Sequence, residues 1–322
     1  MNLDQIGFYT LSDERARTAS ATSRLSRCEL VLTPRCKFKC PYCRHVGVEM
    51  TFDDATAVVT DWSLDHLRNV RFSGGEPTLW SGLSSIVRLC RGLGMERIAL
   101  STNGSAQLDM YRELLDAGVN DLSISLDACC ALDGDRMSGG VPGSWKRVVE
   151  NICSLSSLTY VTVGVVLTEQ NVAQTNGIVR LASECGVADI RIIPAAQNGR
   201  WLSNRIIDAE YTDRYPILRY RVNNLRAGRP VRGITSTDSR RCGLVLDDMA
   251  VTGDKHYPCI IYMREGGKPI GNVRGNMRQD RLEWFSVHDT HTDPICSSNC
   301  LDVCVDYNNR FDEHHNSLPV AR

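Results

Sequence analysis

Three cysteines, Cys36, Cys40 and Cys43, fall within eight residues in the run Cys-Lys-Phe-Lys-Cys-Pro-Tyr-Cys. Thiolates at this spacing suit an iron-sulfur cluster, and three of them on a four-iron cubane leave one iron without a protein ligand. A structural metal site normally closes its shell with four protein ligands, so an incomplete triad points to a cluster that binds something small and reacts with it. The same residues would also serve a zinc knuckle, or a redox pair made of Cys40 and Cys43 alone.

Something must hold these thiols, and the flanking sequence suggests what. Apolar, β-rich runs at Glu29–Thr33, Val70–Phe72, Arg97–Ser101, Asp121–Leu126, Tyr160–Leu167 and Asp189–Ile193 alternate with helix-like spacing at Ala55–Leu67, Leu83–Leu93, Leu108–Ala117, Ser144–Leu155 and Gly177–Cys185. Gly94, Gly118 and Gly186 stand where helices should end, each just before the next strand. Strict alternation implies a parallel sheet with right-handed crossovers, either an incomplete β/α barrel or a flat doubly wound sheet. In such barrels function gathers at the carboxyl ends of the strands. The triad follows the first strand directly, and Gly74-Gly75-Glu76-Pro77 follows the second. Two glycines let a backbone approach a ligand closely, and exposed peptide groups with Glu76 could receive an ammonium.

With Tyr42 just before its third cysteine, the triad resembles the signature of radical S-adenosylmethionine (SAM) enzymes. In that family the open iron chelates the amino and carboxylate groups of SAM. One electron from the cluster splits the sulfonium, and the 5'-deoxyadenosyl radical takes hydrogen from the substrate. The resemblance implies a partial (β/α)6 barrel, a 4Fe-4S cluster, SAM, and an external electron donor of the flavodoxin or ferredoxin type. It assigns Gly74, Gly75, Glu76 and Pro77 to the amino group of SAM. Asn103, at the end of the third strand, and Ser125 and Asp127, at the end of the fourth, would contact its carboxylate and ribose. Arg136 would be a carboxylate partner through its planar fork, and Val165 would lie near the adenine. Asn103-Gly104 also reads as an ordinary turn. Cys129 and Cys130, just past the fourth strand, could return hydrogen to a product radical as in some epimerases, or could simply be packed. Cys28, Cys90, Cys153 and Cys185 read as scattered core or helix-face residues.

Beyond about residue 200 the alternation fades and cysteines return at Cys242, Cys259, Cys296, Cys300 and Cys304. Two spaced thiols and three close ones suit a second cluster, of which four would be ligands and one spare. This resembles the short twitch (SPASM-like) extension that carries one auxiliary 4Fe-4S cluster; zinc is the alternative. The chain accordingly divides into an extension (1–27), the partial barrel (28–205), and a cysteine-rich auxiliary-cluster and substrate-binding region (206–322).

The 322-residue chain has a formal charge of −1, yet Arg214 to Arg241 holds eight arginines and one acid. That stretch carries +7, which leaves −8 for the remainder. Arginine grips phosphate bidentately, so Arg219, Arg221, Arg226, Arg229 and Arg232 are candidates for binding duplex DNA or a nucleotide. The other reading is a solvated helix whose apolar face covers the core. Ile6–Asp13 and Ser123–Cys130 resemble phage radical enzymes of thymine hypermodification, which implies isomerisation of an amino acid on the thymine methyl group from N-linked to Cα-linked. The competing classes are a peptide maturase making thioether links, epimers or carbon-carbon bonds, and an iron-sulfur or zinc regulator that binds nucleic acid. Fourteen cysteines with no signal-peptide pattern or apolar span long enough for a membrane suggest a cytoplasmic protein whose thiols serve metal or redox chemistry rather than disulfides.

Overall fold

The computed structural model describes residues 14–44, 47–196 and 207–316. The Ile6–Asp13 run lies outside them.

Six parallel strands follow the expected alternation: β1 (Arg27–Thr33), β2 (Asn69–Gly74), β3 (Arg97–Thr102), β4 (Asp121–Ser125), β5 (Tyr160–Leu167) and β6 (Asp189–Pro194), paired in chain order. All seven residues of β1 are buried, as expected of a strand covered on both faces. Helices Phe52–Ser63, Leu83–Gly92, Leu108–Ala117, Ser144–Ser156 and Thr175–Glu184 cross between the strands and bury one face each. Gly94, Gly118 and Gly186 all take positive φ, so each ends its helix in a conformation that side-chain-bearing residues resist. One short helix, Ala131–Met137, was not anticipated.

The largest departure concerns the carboxyl-terminal region. Its strand β7 (Asp248–Thr252) lies parallel beside β1, in register from Arg27↔Asp248 to Val31↔Thr252. Antiparallel β8 (Lys255–Tyr257) and β9 (Gly271–Asn272) complete a nine-stranded sheet ordered β6-β5-β4-β3-β2-β1-β7-β8-β9. A sequence boundary at 205/206 is therefore not a boundary of the sheet. Ala16 and Ala19 pack with Leu244, Val245, Leu246, Tyr307 and Phe311, so the first described residues join the carboxyl-terminal core.

Cys28 and Cys90 are buried, as a core role requires. Cys153 and Cys185, expected as unlinked residues, form a disulfide that ties the Ser144–Ser156 helix to the end of the Thr175–Glu184 helix.

Candidate active site

A cavity of about 280 Å³ opens at the carboxyl ends of the strands. Cys36, Cys40 and Cys43 line it, together with Tyr42, Gly74, Gly75, Asn103, Ser125, Asp127 and Arg232. Residues from five different structural segments thus meet at one place.

The cysteine loop is held at several points. The Gly75 N–H donates to Thr33 O at 2.7 Å, and the Glu76 N–H to Arg35 O at 2.8 Å. A Cβ on Gly75 would sit 2.4 Å from Arg35 O, and one on Gly74 would sit 2.5 Å from Thr33 O. The paired glycines therefore let the β2 turn lie directly on the loop that carries the triad. On the opposite side Lys39 N donates to Ser138 O at 2.9 Å, and Val48 N to Thr252 Oγ1 at 2.9 Å. Arg44 is paired with Glu265.

Cys36 already has two N–H donors at its sulfur, Phe38 N at 3.4 Å and Asn103 Nδ2 at 3.5 Å. Such donors stabilise a metal-bound thiolate. Burial raises the Cys36 thiol, and burial followed by Asp127 pushes Cys40 up to about 12, so metal binding must displace protons held firmly in the apo state. Among the described residues, the one trio of metal-ligating side chains that closes to within 4.8 Å is His288, Asp293 and Cys296. Cys36, Cys40 and Cys43 do not form such a trio, and as three thiols they would leave one iron of a cubane open.

Glu76 does not line the cavity. It is 1 % exposed, and its carboxylate accepts from Thr78 N (3.2 Å), Thr78 Oγ1 (2.7 Å), Thr102 Oγ1 (2.8 Å) and Asn103 N (2.8 Å). Both oxygens are occupied, so Glu76 braces the end of β3 instead of facing an ammonium, and Pro77 is buried in the short turn that follows. Asn103 is both an expected turn and a cavity residue: its Oδ1 accepts from Ser105 N at 2.9 Å while its Nδ2 reaches Cys36.

Tyr42 donates its hydroxyl to Asp127 Oδ2, and Asp127 Oδ1 accepts from Val166 N at 2.7 Å. Desolvation pushes the Asp127 carboxyl up to about 6 against the pull of these donors. Val166, not Val165, faces the cavity; Val165 is 1 % exposed in the core because alternate strand residues point to opposite faces. Arg136, directly before the cavity-lining Met137 and Ser138, is exposed and paired with Asp133 at 2.7 Å.

Cys129 and Cys130 are also absent from the lining. Cys129 Sγ contacts Gln174 Oε1 at 3.4 Å, and its side chain packs against Gly177; Cys130 Sγ faces Asp133 at 3.4 Å on the exposed side. Cys129 fits the packed reading, Cys130 is exposed, and neither stands where a hydrogen donor to the cavity would.

Of the five candidate arginines, Arg232 alone reaches the cavity. Arg221 is buried in an ion pair with Asp302, Arg229 pairs with Asp306 at 2.6 Å, Arg226 contacts Ile207 O at 3.5 Å, and the exposed Arg219 donates to Asp213 O at 3.1 Å. Leu218 and Val222 turn the Pro216–Arg226 helix toward the core, so its charges mostly fasten it in place. Cavity charge comes instead from residues not singled out in the sequence: Arg44, Arg71, Arg191 and Arg264, with Glu29 as the acid. Glu29 Oε1 accepts from Ser73 Oγ at 2.5 Å, and Arg71 donates to Ser101 Oγ at 3.3 Å. Their mid-strand positions looked like core, yet in the partial barrel they line the cavity.

The five carboxyl-terminal cysteines converge. Burial, then Cys304, pushes Cys242 up to about 11; burial raises Cys259, followed by Cys242 and Cys304; Cys300 is raised first by its hydrogen bond to Cys304 and then by burial. Tyr262 N donates to Cys259 Sγ at 3.4 Å, and Asn308 Nδ2 approaches Cys242 Sγ at 3.8 Å. This donor set could hold an auxiliary cluster with Cys242, Cys259, Cys296 and one or both of Cys300 and Cys304 as ligands. Ile260, directly after Cys259, and Leu301, directly after Cys300, line the cavity, so the cysteine-bearing segments form part of its wall.

Comparison with known proteins agrees. Residues 30–182 match the model of the Radical SAM superfamily. The probable GTP 3',8-cyclase of Saccharolobus solfataricus is 29% identical over 171 residues, covering 51% of this chain and 55% of that protein. The GTP 3',8-cyclase of Rhizobium leguminosarum bv. trifolii is 30% identical over 199 residues, covering 57% and 54%. The chain thus spans about half the length of these curated relatives. Among solved structures, anSMEcpe with bound AdoMet aligns at a TM-score of 0.59 with 15% identity over 90% of this chain and 96% of that one. SuiB of Streptococcus suis bound to S-adenosylmethionine aligns at 0.58 with 13% identity over 85% and 65%. These two show a shared fold. The fold, the thiol triad and the sequence match agree: the chain contains a radical SAM superfamily domain over residues 30–182.

Proposed function

We propose that this protein is a SAM-dependent radical enzyme acting on an anionic, nucleotide-type substrate. The observation that carries the reading is one cavity lined by three cluster-competent thiols, by Ser125 and Asp127, and by Arg191, Arg232 and Arg264. When a 4Fe-4S cluster and SAM are bound, they supply reductive sulfonium cleavage and hydrogen abstraction. The protein's own residues position and enclose. Cys36, Cys40 and Cys43 would hold the cluster; Gly74, Gly75, Asn103, Ser125 and Asp127 would orient SAM; Val166 would supply an apolar contact. The arginines would bind substrate anions, as the named activity of the GTP 3',8-cyclase relatives also favours.

Within that class our reading of the substrate is a thymine in DNA bearing an amino acid, isomerised from N-linked to Cα-linked. Glu29, with Arg71 beside it in register and Arg191 in the same cavity, offers complementary partners for an ammonium and a carboxylate. A redox-neutral isomerisation leaves the auxiliary cluster to hold the fold or return an electron. An external reductant of the flavodoxin or ferredoxin type would feed the first cluster.

Anaerobic reconstitution with SAM and dithionite, followed by mass spectrometry of 5'-deoxyadenosine, tests the reaction class. Deuterium at the amino-acid α carbon of a modified-thymine oligonucleotide should enter 5'-deoxyadenosine. Transfer from a labelled peptide instead would favour a peptide maturase, the activity suggested by the precursor-peptide complex of SuiB. Zinc at the triad, with no SAM cleavage, would favour a regulator.

A further inference from the structure

His288 follows the Met277–Val287 helix and is 14 % exposed. Its ring stacks on Trp284 with centroids 3.8 Å apart, and Tyr262 meets both rings edge-on at 6.1 Å. Its Nε2 lies 3.5 Å from Cys296 Sγ and 3.9 Å from Asp293 Oδ2. His288, Asp293 and Cys296 are close enough to suggest a mononuclear metal site, but the Asp293 carboxylate is already committed. Oδ1 accepts from Ile295 N and Cys296 N at 2.8 Å each, capping the Pro294–Asn299 helix, and Oδ2 accepts from Tyr262 OH at 3.0 Å. Once Cys296 is a thiolate, Nε2 faces an acceptor on each side and no donor. These surroundings select the tautomer with the proton on Nε2.

We infer that His288 donates this N–H to the Cys296 sulfur and thereby sets the reduction potential of the auxiliary cluster, an inference that rests on Cys296 being one of its ligands. The reduced cluster carries more negative charge on its sulfurs, so an N–H donor stabilises it more than the oxidised form and raises the potential. Cys259 and Cys242 receive their donors from a backbone amide and an asparagine. At Cys296 the donor is a ring held by two aromatic neighbours, an orientation that costs little extra ordering when the cluster changes charge. His288 is a positioning residue, acting through Cys296 and touching no reacting atom.

The test is a potentiometric EPR titration of the anaerobically loaded, full-length protein. It is run on the wild type and on the C36A/C40A/C43A background, in which the auxiliary cluster is the one that remains. His288→Phe keeps a ring to stack on Trp284 and removes the donor. Its reduced-to-oxidised ratio at fixed applied potential should fall about tenfold, equivalent to about 59 mV for a one-electron couple. His288→Gln keeps an N–H and should restore most of the shift, with iron content unchanged in both variants. An unmoved midpoint in His288→Phe overturns the inference alone. So does loss of auxiliary iron with an altered EPR signature, which would make His288 a ligand, or stoichiometric zinc bound by His288, Asp293 and Cys296. Absence of iron from the triple-alanine background, with a wild-type titration showing one cluster, overturns the cluster reading and the inference with it.

Discussion

The Tyr42 hydroxyl donates to Asp127 across 85 residues of sequence, joining the cysteine loop to the end of β4. The second carboxylate oxygen of Asp127 takes the Val166 amide of β5, so one side chain ties three cavity walls together. Tyr42→Phe leaves that carboxylate with an unmet acceptor in a desolvated place. We expect a loss of about 1.5–3 kcal/mol, the range for hydrogen bonds to charged groups, read as a lower denaturation midpoint and weaker SAM binding by calorimetry. Wild-type values in both measurements would show that the link carries no energy.

Glu76 accepts four hydrogen bonds, and Gln in its place would turn an amide NH₂ toward at least one N–H or O–H donor. Glu76→Gln should therefore destabilise the protein by about 1–3 kcal/mol and loosen Asn103 from Cys36. Stability, cluster loading and SAM affinity should fall together. A selective loss of SAM affinity at unchanged stability would instead restore Glu76 as a direct cofactor contact.

Arg221 and Arg219 lie two residues apart with opposite fates. Removing Arg221 strands Asp302 in the interior, and a broken buried pair typically costs about 3–5 kcal/mol. Arg219→Ala should stay within about 0.5 kcal/mol, as exposed substitutions do. Urea titrations distinguish the two. Electrophoretic shift of duplex DNA should weaken more in Arg232→Ala than in Arg219→Ala, and the reverse order would return the helix to the role of nucleic-acid surface.

Cys129 packs on Gln174 and Gly177 outside the cavity. Cys129→Ala and Cys130→Ala should each leave the rate of 5'-deoxyadenosine formation and the product unchanged. Accumulation of an unquenched or altered product in either variant would place a thiol next to the substrate radical after all.

Burial pushes Asp189 up to about 6, opposed by the Ile217 and Ile190 amides. The folded state thus binds this proton more tightly than the unfolded chain, whose aspartate titrates near 3.8. The stabilisation is complete below that value and is lost as pH rises through about 6. Relative to Asp189→Asn, the wild type should lose up to about 3 kcal/mol of unfolding free energy between pH 4 and pH 7. Parallel pH profiles for the two proteins would rule this out.

What could be read in advance follows the range of the forces concerned. The triad, the Gly74-Gly75 turn and all six barrel strands are local patterns, visible from spacing and alternation. Val165 and Val166 were confused because a one-residue error in strand parity exchanges core for cavity. Arg136, Cys129 and Cys130 lie close to the site in sequence yet point away from it, since the direction of a side chain at either end of a short helix depends on packing. The arginine run leaves a binding surface and a solvated helix both open in sequence, because its acidic partners, Asp302 and Asp306, lie about eighty residues downstream. Glu29, Arg71 and Arg191 show the reverse: charges hidden among apolar neighbours that become functional candidates only when the sheet curls round them.

The pairing of β7 with β1 has a further mechanical consequence. The strand feeding the triad and a strand between Cys242 and Cys259 are adjacent rails of one hydrogen-bonded frame, cross-braced by Val48 to Thr252 and Arg44 to Glu265. The spacing between the two thiol clusters is therefore set by backbone ladders, not by a hinge. Relative movement of the two thiol groups must come from the loops that bear them, while the strands behind those loops keep one register.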